Sequence, residues 1–225
     1  MYIDKEYNYF STNWTIYKIG FWSGIIAFVS TVAFVIVQVL QLLGMLQYPW
    51  DEISIYGFSL CIVLPLMIEM LAFHYILPSK KKFWSNAALI FTVLYVAFVS
   101  ANYIVQLTTV IPMTLQGTDE NIELLKQTPH SLFWDFDAIG YIYMGLATLF
   151  AIPVFEKYGF QKWVRYSFIF HTLVTPLIIF VYFYPNFSNT ILLVGLPWGI
   201  SAPVFMLLLA IWLKKIYNKK TIEYP

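Results

Sequence analysis

The residues of this chain that could carry chemistry are few, and they sit where ionisable groups are costly. Glu69 interrupts an apolar run from Ile55 to Leu77, and His171 interrupts another from Trp163 to Tyr184. Mid-helix in hydrocarbon, an Asp, Lys or Arg costs about 2.5–3.5 kcal/mol, so each ionisable group there needs a reason. Glu69 comes about 21 Å along its run at roughly 1.5 Å per residue. Its carboxyl is a candidate site for a proton or a cation; the alternative is a hydrogen bond that ties two helices together. His171 is expected at a compatible depth on an antiparallel helix, with Thr175 one turn further on. A Glu69–His171 pair could relay protons or orient a ligand, whereas a lone histidine would donate to a backbone carbonyl. His74 is five residues beyond Glu69, about 140° round the helix, and nearer the interface.

A second group of polar residues falls towards the other side. Asn102, Gln106 and Thr109 are spaced i, i+4 and i+7, which is one helical face. Gln38 and Gln41 reach a similar height, and Asp135 and Asp137 open a later run, with Tyr141 on the face of Asp137. The candidate ligand- or ion-binding residues are therefore Glu69, His171, Asn102, Gln106, Asp137 and Tyr141, arranged as an outward polar vestibule with Glu69 as its deeper site. Two structural alternatives stay open. Asp135 and Asp137 could cap a helix N-terminus, and Asn102 and Gln106 could hydrogen-bond across a dry helix interface.

Other chemistries are excluded or lack their residues. Cys61 is the single cysteine, so no intramolecular disulfide forms and no thiolate cluster can hold zinc or iron–sulfur. His74, His130 and His171 fall at different depths, which a bis-histidine haem or zinc hydrolase would not tolerate. Gly-rich phosphate loops, G-x-S-x-G and H-E-x-x-H are absent, and every lysine lies outside the apolar runs, leaving none for a retinal Schiff base. No metal and no cofactor is expected, and no catalytic residue can be named.

The elements that must position these residues follow from composition. Of 225 residues, 60% are hydrophobic, 20% aromatic and only 11% charged, with formal charge +1 and mean hydropathy +0.71. That excludes a soluble globular domain, intrinsic disorder and a nucleic-acid-binding surface. Crossing about 30 Å of hydrocarbon takes around 20 apolar residues. Six runs qualify: Ile19 to Leu46, Ile55 to Leu77, Trp84 to Ile111, Asp137 to Phe155, Trp163 to Tyr184 and Ser188 to Leu213. They are near-continuously apolar, unlike the alternating strands of a barrel, and in hydrocarbon the backbone must satisfy itself, so each is read as a helix. The fold class is all-α: a polytopic six-transmembrane-helix bundle forming a single transmembrane domain over residues 1–225. The first run follows an acid-containing polar segment and is too long for a signal peptide, so it is expected to be retained.

Charge orients the bundle. Lys5 and Lys18, then Lys80 to Lys82, then Lys157, Lys162 and Arg165, and finally Lys214, Lys215, Lys219 and Lys220 all fall on one side of a six-span arrangement, leaving only Lys126 opposite. The positive-inside rule places both termini in the cytoplasm. Binding to anionic headgroups is a secondary reading of these clusters. Asp51, Glu52, Asp119, Glu120 and Glu123 lie outside. Trp14, Trp22, Trp84 and Trp163 mark the inner interface; Tyr48, Trp50, Trp134 and Tyr184 mark the outer one.

Asn121 to Gln127 is expected to form a short surface helix that Pro129 ends. Gly195, Pro197, Gly199 and Pro203 predict a kink or local unwinding that could line a cavity. Gly195/Gly199 and Gly20/Gly24 are small-xxx-small pairs that let a neighbouring helix approach and permit a homo-oligomer.

Tyr103 to Pro112 (YIVQLTTVIP), Pro129 to Trp134 (PHSLFW) and Ala138 to Phe155 (AIGYIYMGLATLFAIPVF) resemble a pattern in an uncharacterised family of small prokaryotic polytopic membrane proteins. The resemblance covers the middle third of the chain. It implies a prokaryotic plasma (inner) membrane setting and brings no activity or site residue.

Three functions fit. The first is small-solute transport, a channel or membrane ligand binding through the vestibule and Glu69. The second is a non-catalytic accessory or signalling subunit, and the third an intramembrane enzyme on a lipid-like substrate with Glu69 and His171 as acid and base. The partners expected are the bilayer and a small-molecule or lipid ligand, with no nucleic acid.

Overall fold

The computed structural model describes the backbone of residues 2–118 and 122–223, and their side chains except for 2–14, 189 and 219–223. Asp4, Lys5, Glu6, Trp14, Asp119, Glu120, Asn121, Lys219 and Lys220, to which the sequence assigned topological or structural roles, lie outside the described residues or side chains. The described chain is all-α, with six helices long and apolar enough to cross a membrane. They are α1 (Tyr2–Leu42), α2 (Trp50–Ile76), α3 (Lys82–Val105), α4 (Leu132–Ala151), α5 (Gln161–Phe183) and α6 (Leu196–Glu223).

Each helix packs against the next, and α1 packs against α6, so the six close into a sequential ring; α2 and α6 meet across it mainly through side chains such as Phe73 and Trp212. The interior is filled by buried side chains such as Leu66, Met70, Met144, Phe168, Phe205 and Met206. Close crossings occur where a neighbour needs room. Gly20 and Gly24 of α1 face Ala72 of α2 and Leu213 and Ala210 of α6, while Gly199 faces Val35 and Gly195 faces Ile178. Both small-residue pairs are thus used inside the ring.

The two ends differ in charge. At one end Lys18 lies over the Tyr217 ring and Lys215 over the Phe160 ring. Lys81 pairs with Glu156 at 2.5 Å and donates to Val154 O at 2.6 Å. Several basic side chains at this end cap helices. Lys82 donates to His74 O and to Tyr75 O (3.1 Å), and Arg165 donates to Ile152 O (2.7 Å) and Phe155 O (3.2 Å). Carbonyls left unbonded at a helix C-terminus accept such donors, and the dipole favours a cation there. Lys81 holds the Glu156 carboxyl below the usual glutamate range, by hydrogen bond first and by charge second. At the opposite end Tyr48 reaches Ile111 O (3.4 Å) and His130 bonds Pro185 O (3.1 Å).

Several boundaries differ from the apolar runs. Helix α1 extends back to Tyr2 because nothing in the polar segment breaks it. Helix α4 begins at Leu132 because Ser131, not Asp135 or Asp137, caps it by accepting from Trp134 N at 3.2 Å. Asp135 is an exposed first-turn acid. After α3 the chain continues through a π turn, Gln106–Val110, into the short helix Ile111–Leu115. Pro112 cannot donate to the carbonyl four residues back, and a wider turn accommodates that loss. Within the π turn Val110 is buried and Thr109 only half-buried, so the expected face of Asn102, Gln106 and Thr109 stops at Gln106. The described part of the expected 121–127 helix is a single turn, with Leu125 N bonded to Ile122 O. Ahead of α6, Asn189–Leu192 and the tight turn Leu193–Gly195 are irregular, whereas Pro197, Gly199 and Pro203, which also predict a kink or unwinding, lie within the continuous helix α6. Trp134 is buried and donates to Tyr182 O (3.1 Å), so it is not an interfacial belt residue.

Candidate functional site

Three of the six candidate residues meet in one buried network at the end opposite the lysines. Asp137, on α4, accepts from Tyr103 Oη (2.7 Å), from Gln127 Nε2 (2.9 Å) and from Tyr182 Oη. Gln127 Oε1 accepts from Asn102 Nδ2 (3.0 Å), and its backbone N–H donates to Gln106 Oε1 (3.2 Å). Gln106 Nε2 donates to Leu125 O at 2.7 Å. Asn102, Gln106 and Asp137 are all at most 2% exposed. They do not line an open vestibule; they satisfy one another, because the turn at 122–127 places Gln127 between α3 and α4 and supplies both donor and acceptor. Such fully paired buried networks fix one arrangement of the groups that form them.

Tyr141, one turn beyond Asp137 on α4, adjoins this network through Tyr103 and Tyr182 and also lines a neighbouring feature. With Tyr182 it lines a cavity of about 320 Å³ whose other walls come from α1, α5 and α6, including Phe34, Gln38, Trp198 and Gly199. This is at the small end of volumes that hold drug-sized ligands. Rings dominate it: Tyr141 and Trp198 meet edge-on at 5.0 Å, and Phe34 and Trp198 at 5.6 Å. Val39, Leu196 and Ile200 line it while remaining exposed, so the cavity opens on the side of the bundle. Trp198 is buried, yet its indole N–H has no partner among the described residues. An unpaired buried donor costs about 1–3 kcal/mol. Gln38 forms the polar edge, donating to Gln41 Oε1 (2.8 Å), which donates in turn to Asp51 Oδ2 (2.9 Å).

Glu69 and His171 stand apart from both features. Glu69 is fully buried where α2 meets α1 and α6; a Cβ at Gly24 would collide with its carboxyl, and both its oxygens lack partners among the described residues. His171 shares a 3.0 Å hydrogen bond between Nδ1 and Ser201 Oγ of α6, and its ring packs on Phe205. The two do not form the hydrogen-bonded pair that a proton relay would use. His74 instead shares a 2.9 Å hydrogen bond with Ser85 Oγ.

Sequence reasoning missed Tyr103, Tyr182, Gln127 and Trp198. Tyrosines and tryptophans near helix ends read as interfacial residues, and only the chain fold shows which of them turn inward. Among the described residues no cluster of three or more His, Cys, Asp or Glu side chains could hold a metal ion. No protein-family model, curated protein or solved structure matches the chain.

Proposed function

We propose that this is an integral membrane protein that binds a membrane-soluble small molecule in the cavity between α1, α5 and α6, as a carrier or a ligand-binding protein. The observation that carries this reading is the side-opening aromatic cavity itself. The lysine-rich end lies in the cytoplasm by the positive-inside rule, which puts the cavity in the outer half of the bilayer. A prokaryotic plasma membrane rests on the family resemblance alone.

Native mass spectrometry of protein purified in a mild detergent tests the reading, comparing wild type with Val39→Trp, which fills the mouth of the cavity. A small molecule that accompanies the wild type and is lost from the variant is the expected result. A wild type with no bound species, or a species indifferent to Val39→Trp, overturns it.

A second reading, transport coupled to a proton or cation, is favoured by one observation: the carboxyl of Glu69 is buried without a partner among the described residues. Intramembrane acids of this kind mark ion pathways. Glu69→Gln should then abolish ligand movement across vesicles while leaving ligand binding intact; unchanged movement removes this reading.

A further inference from the structure

The surroundings of Glu69 restrict which ion it can bind. Its carboxyl lies where α2 meets α1 and α6; the residue is 0% exposed, and neither oxygen has a hydrogen-bond partner among the described residues. Gly24 of α1 packs directly on it. A Cβ built at Gly24 would overlap the carboxyl and stand 2.7 Å from Ala210 Cβ on α6. On α2 itself the buried neighbours Leu66, Met70 and Phe73 are apolar. No charged side chain among the described residues acts on the group from any helix. Asp137 and His171 are engaged elsewhere, the first by Tyr103, Tyr182 and Gln127 and the second by Ser201.

A metal cation would be poorly held in this place. Hard divalent cations take about six or more oxygen ligands, and a potassium ion leaves water only where a ring of oxygens replaces its hydration shell. The crossing offers one carboxyl, closed against the α1 backbone with no space for such a shell. Among the described residues no group of three or more His, Cys, Asp or Glu could complete one. A proton needs a single oxygen and no added volume, and it removes the charge that burial penalises.

We infer that the ion Glu69 binds is a proton, to the exclusion of sodium, potassium and divalent cations. The inference rests on the coupled-transport reading above and names its ion. Exchange of that proton requires the crossing of α1, α2 and α6 to open, since water reaches neither oxygen in the packed bundle.

Infrared spectroscopy of the full chain in dodecyl maltoside, a detergent without carbonyl groups, tests it. A neutral carboxylic acid shows a C=O stretch that a carboxylate lacks, and the difference between wild type and Glu69→Gln isolates the one at Glu69. At neutral pH that acid band should be present, and it should keep its full intensity when choline chloride is exchanged for sodium, potassium or magnesium chloride. Glu69→Met, subtracted in place of Glu69→Gln, should give the same band, so the assignment does not hang on either variant alone. A carboxylate signature at neutral pH in choline chloride overturns the inference. So does an acid band that gives way to a carboxylate on addition of any of the three salts, a result that leaves cation-coupled transport standing. If the acid band is present and indifferent to salt while ligand movement is unchanged in Glu69→Gln, the coupled-transport reading falls and the proton at Glu69 remains as a fixed part of the helix crossing.

Discussion

Asp137 and Glu69 are two buried acids in one bundle, and they meet opposite surroundings. Asp137 accepts three hydrogen bonds from side chains on three different segments. Glu69 sits fully buried against Gly24 and Ala210 with no partner for either oxygen among the described residues. The apolar run around each looks alike in sequence. What separates them is the neighbour, and the neighbour decides that one acid is structural cement and the other a group with an unused valence.

The sharpest way to break this contrast is to remove each acid and compare unfolding in mixed micelles. Asp137→Ala orphans the hydroxyls of Tyr103 and Tyr182 and the amide of Gln127, so it should cost about 3–5 kcal/mol even after water relieves part of the loss. Gly24→Val should cost about 3 kcal/mol, because the added carbons collide with Glu69 and Ala210 at a closed crossing. Gln127→Ala should cost about 1–3 kcal/mol and loosen the turn at 122–127, which increased amide exchange there would report. Glu69→Met should lie within about 1 kcal/mol of wild type, since an apolar residue of similar length replaces a group with no hydrogen-bond partner among the described residues. A Glu69→Met cost as large as that of Asp137→Ala would erase the distinction.

The smallest effect lies at the lysine-rich end. Lys81 lowers the Glu156 carboxyl below its ordinary value of 4.5, so the stabilisation is fully present above that value and fades as pH falls through the lower folded value. Wild type and Glu156→Gln should therefore differ slightly at neutral pH and converge in acid. Curves that stay parallel down to low pH would remove this contribution.

Much of the fold is legible in sequence because hydrocarbon asks for long apolar helices and little else. The run from Trp163 to Tyr184 maps onto α5 to within two residues at either end. The ends where polar chemistry competes are less legible. Ser131 displaces Asp135 as the cap because its hydroxyl stands where the free N–H groups of α4 point, and Pro112 imposes a π turn that no apolar count foresees. At the site, Asn102, Gln106 and Asp137 were conspicuous as polar residues among apolar ones, yet Gln127, the residue that binds them together, looked like any loop glutamine. The cavity was foreshadowed by Gly195 and Gly199 and by the polar Gln38 and Tyr141, while its other walls are residues of ordinary appearance. The orphan N–H of Trp198 has no sequence signal at all: it is defined by what fails to reach it.

The sequential ring also sets an order of events during synthesis. Each helix can settle against its predecessor as it emerges, but the contact of α1 with α6 waits for α6 itself. Until α6 arrives, the grooves at Gly20 and Gly24 and the carboxyl of Glu69 have no cover from Ala210 or Leu213. Before α6 arrives the nascent chain thus carries an open seam with an acid in it, and α6 shuts it.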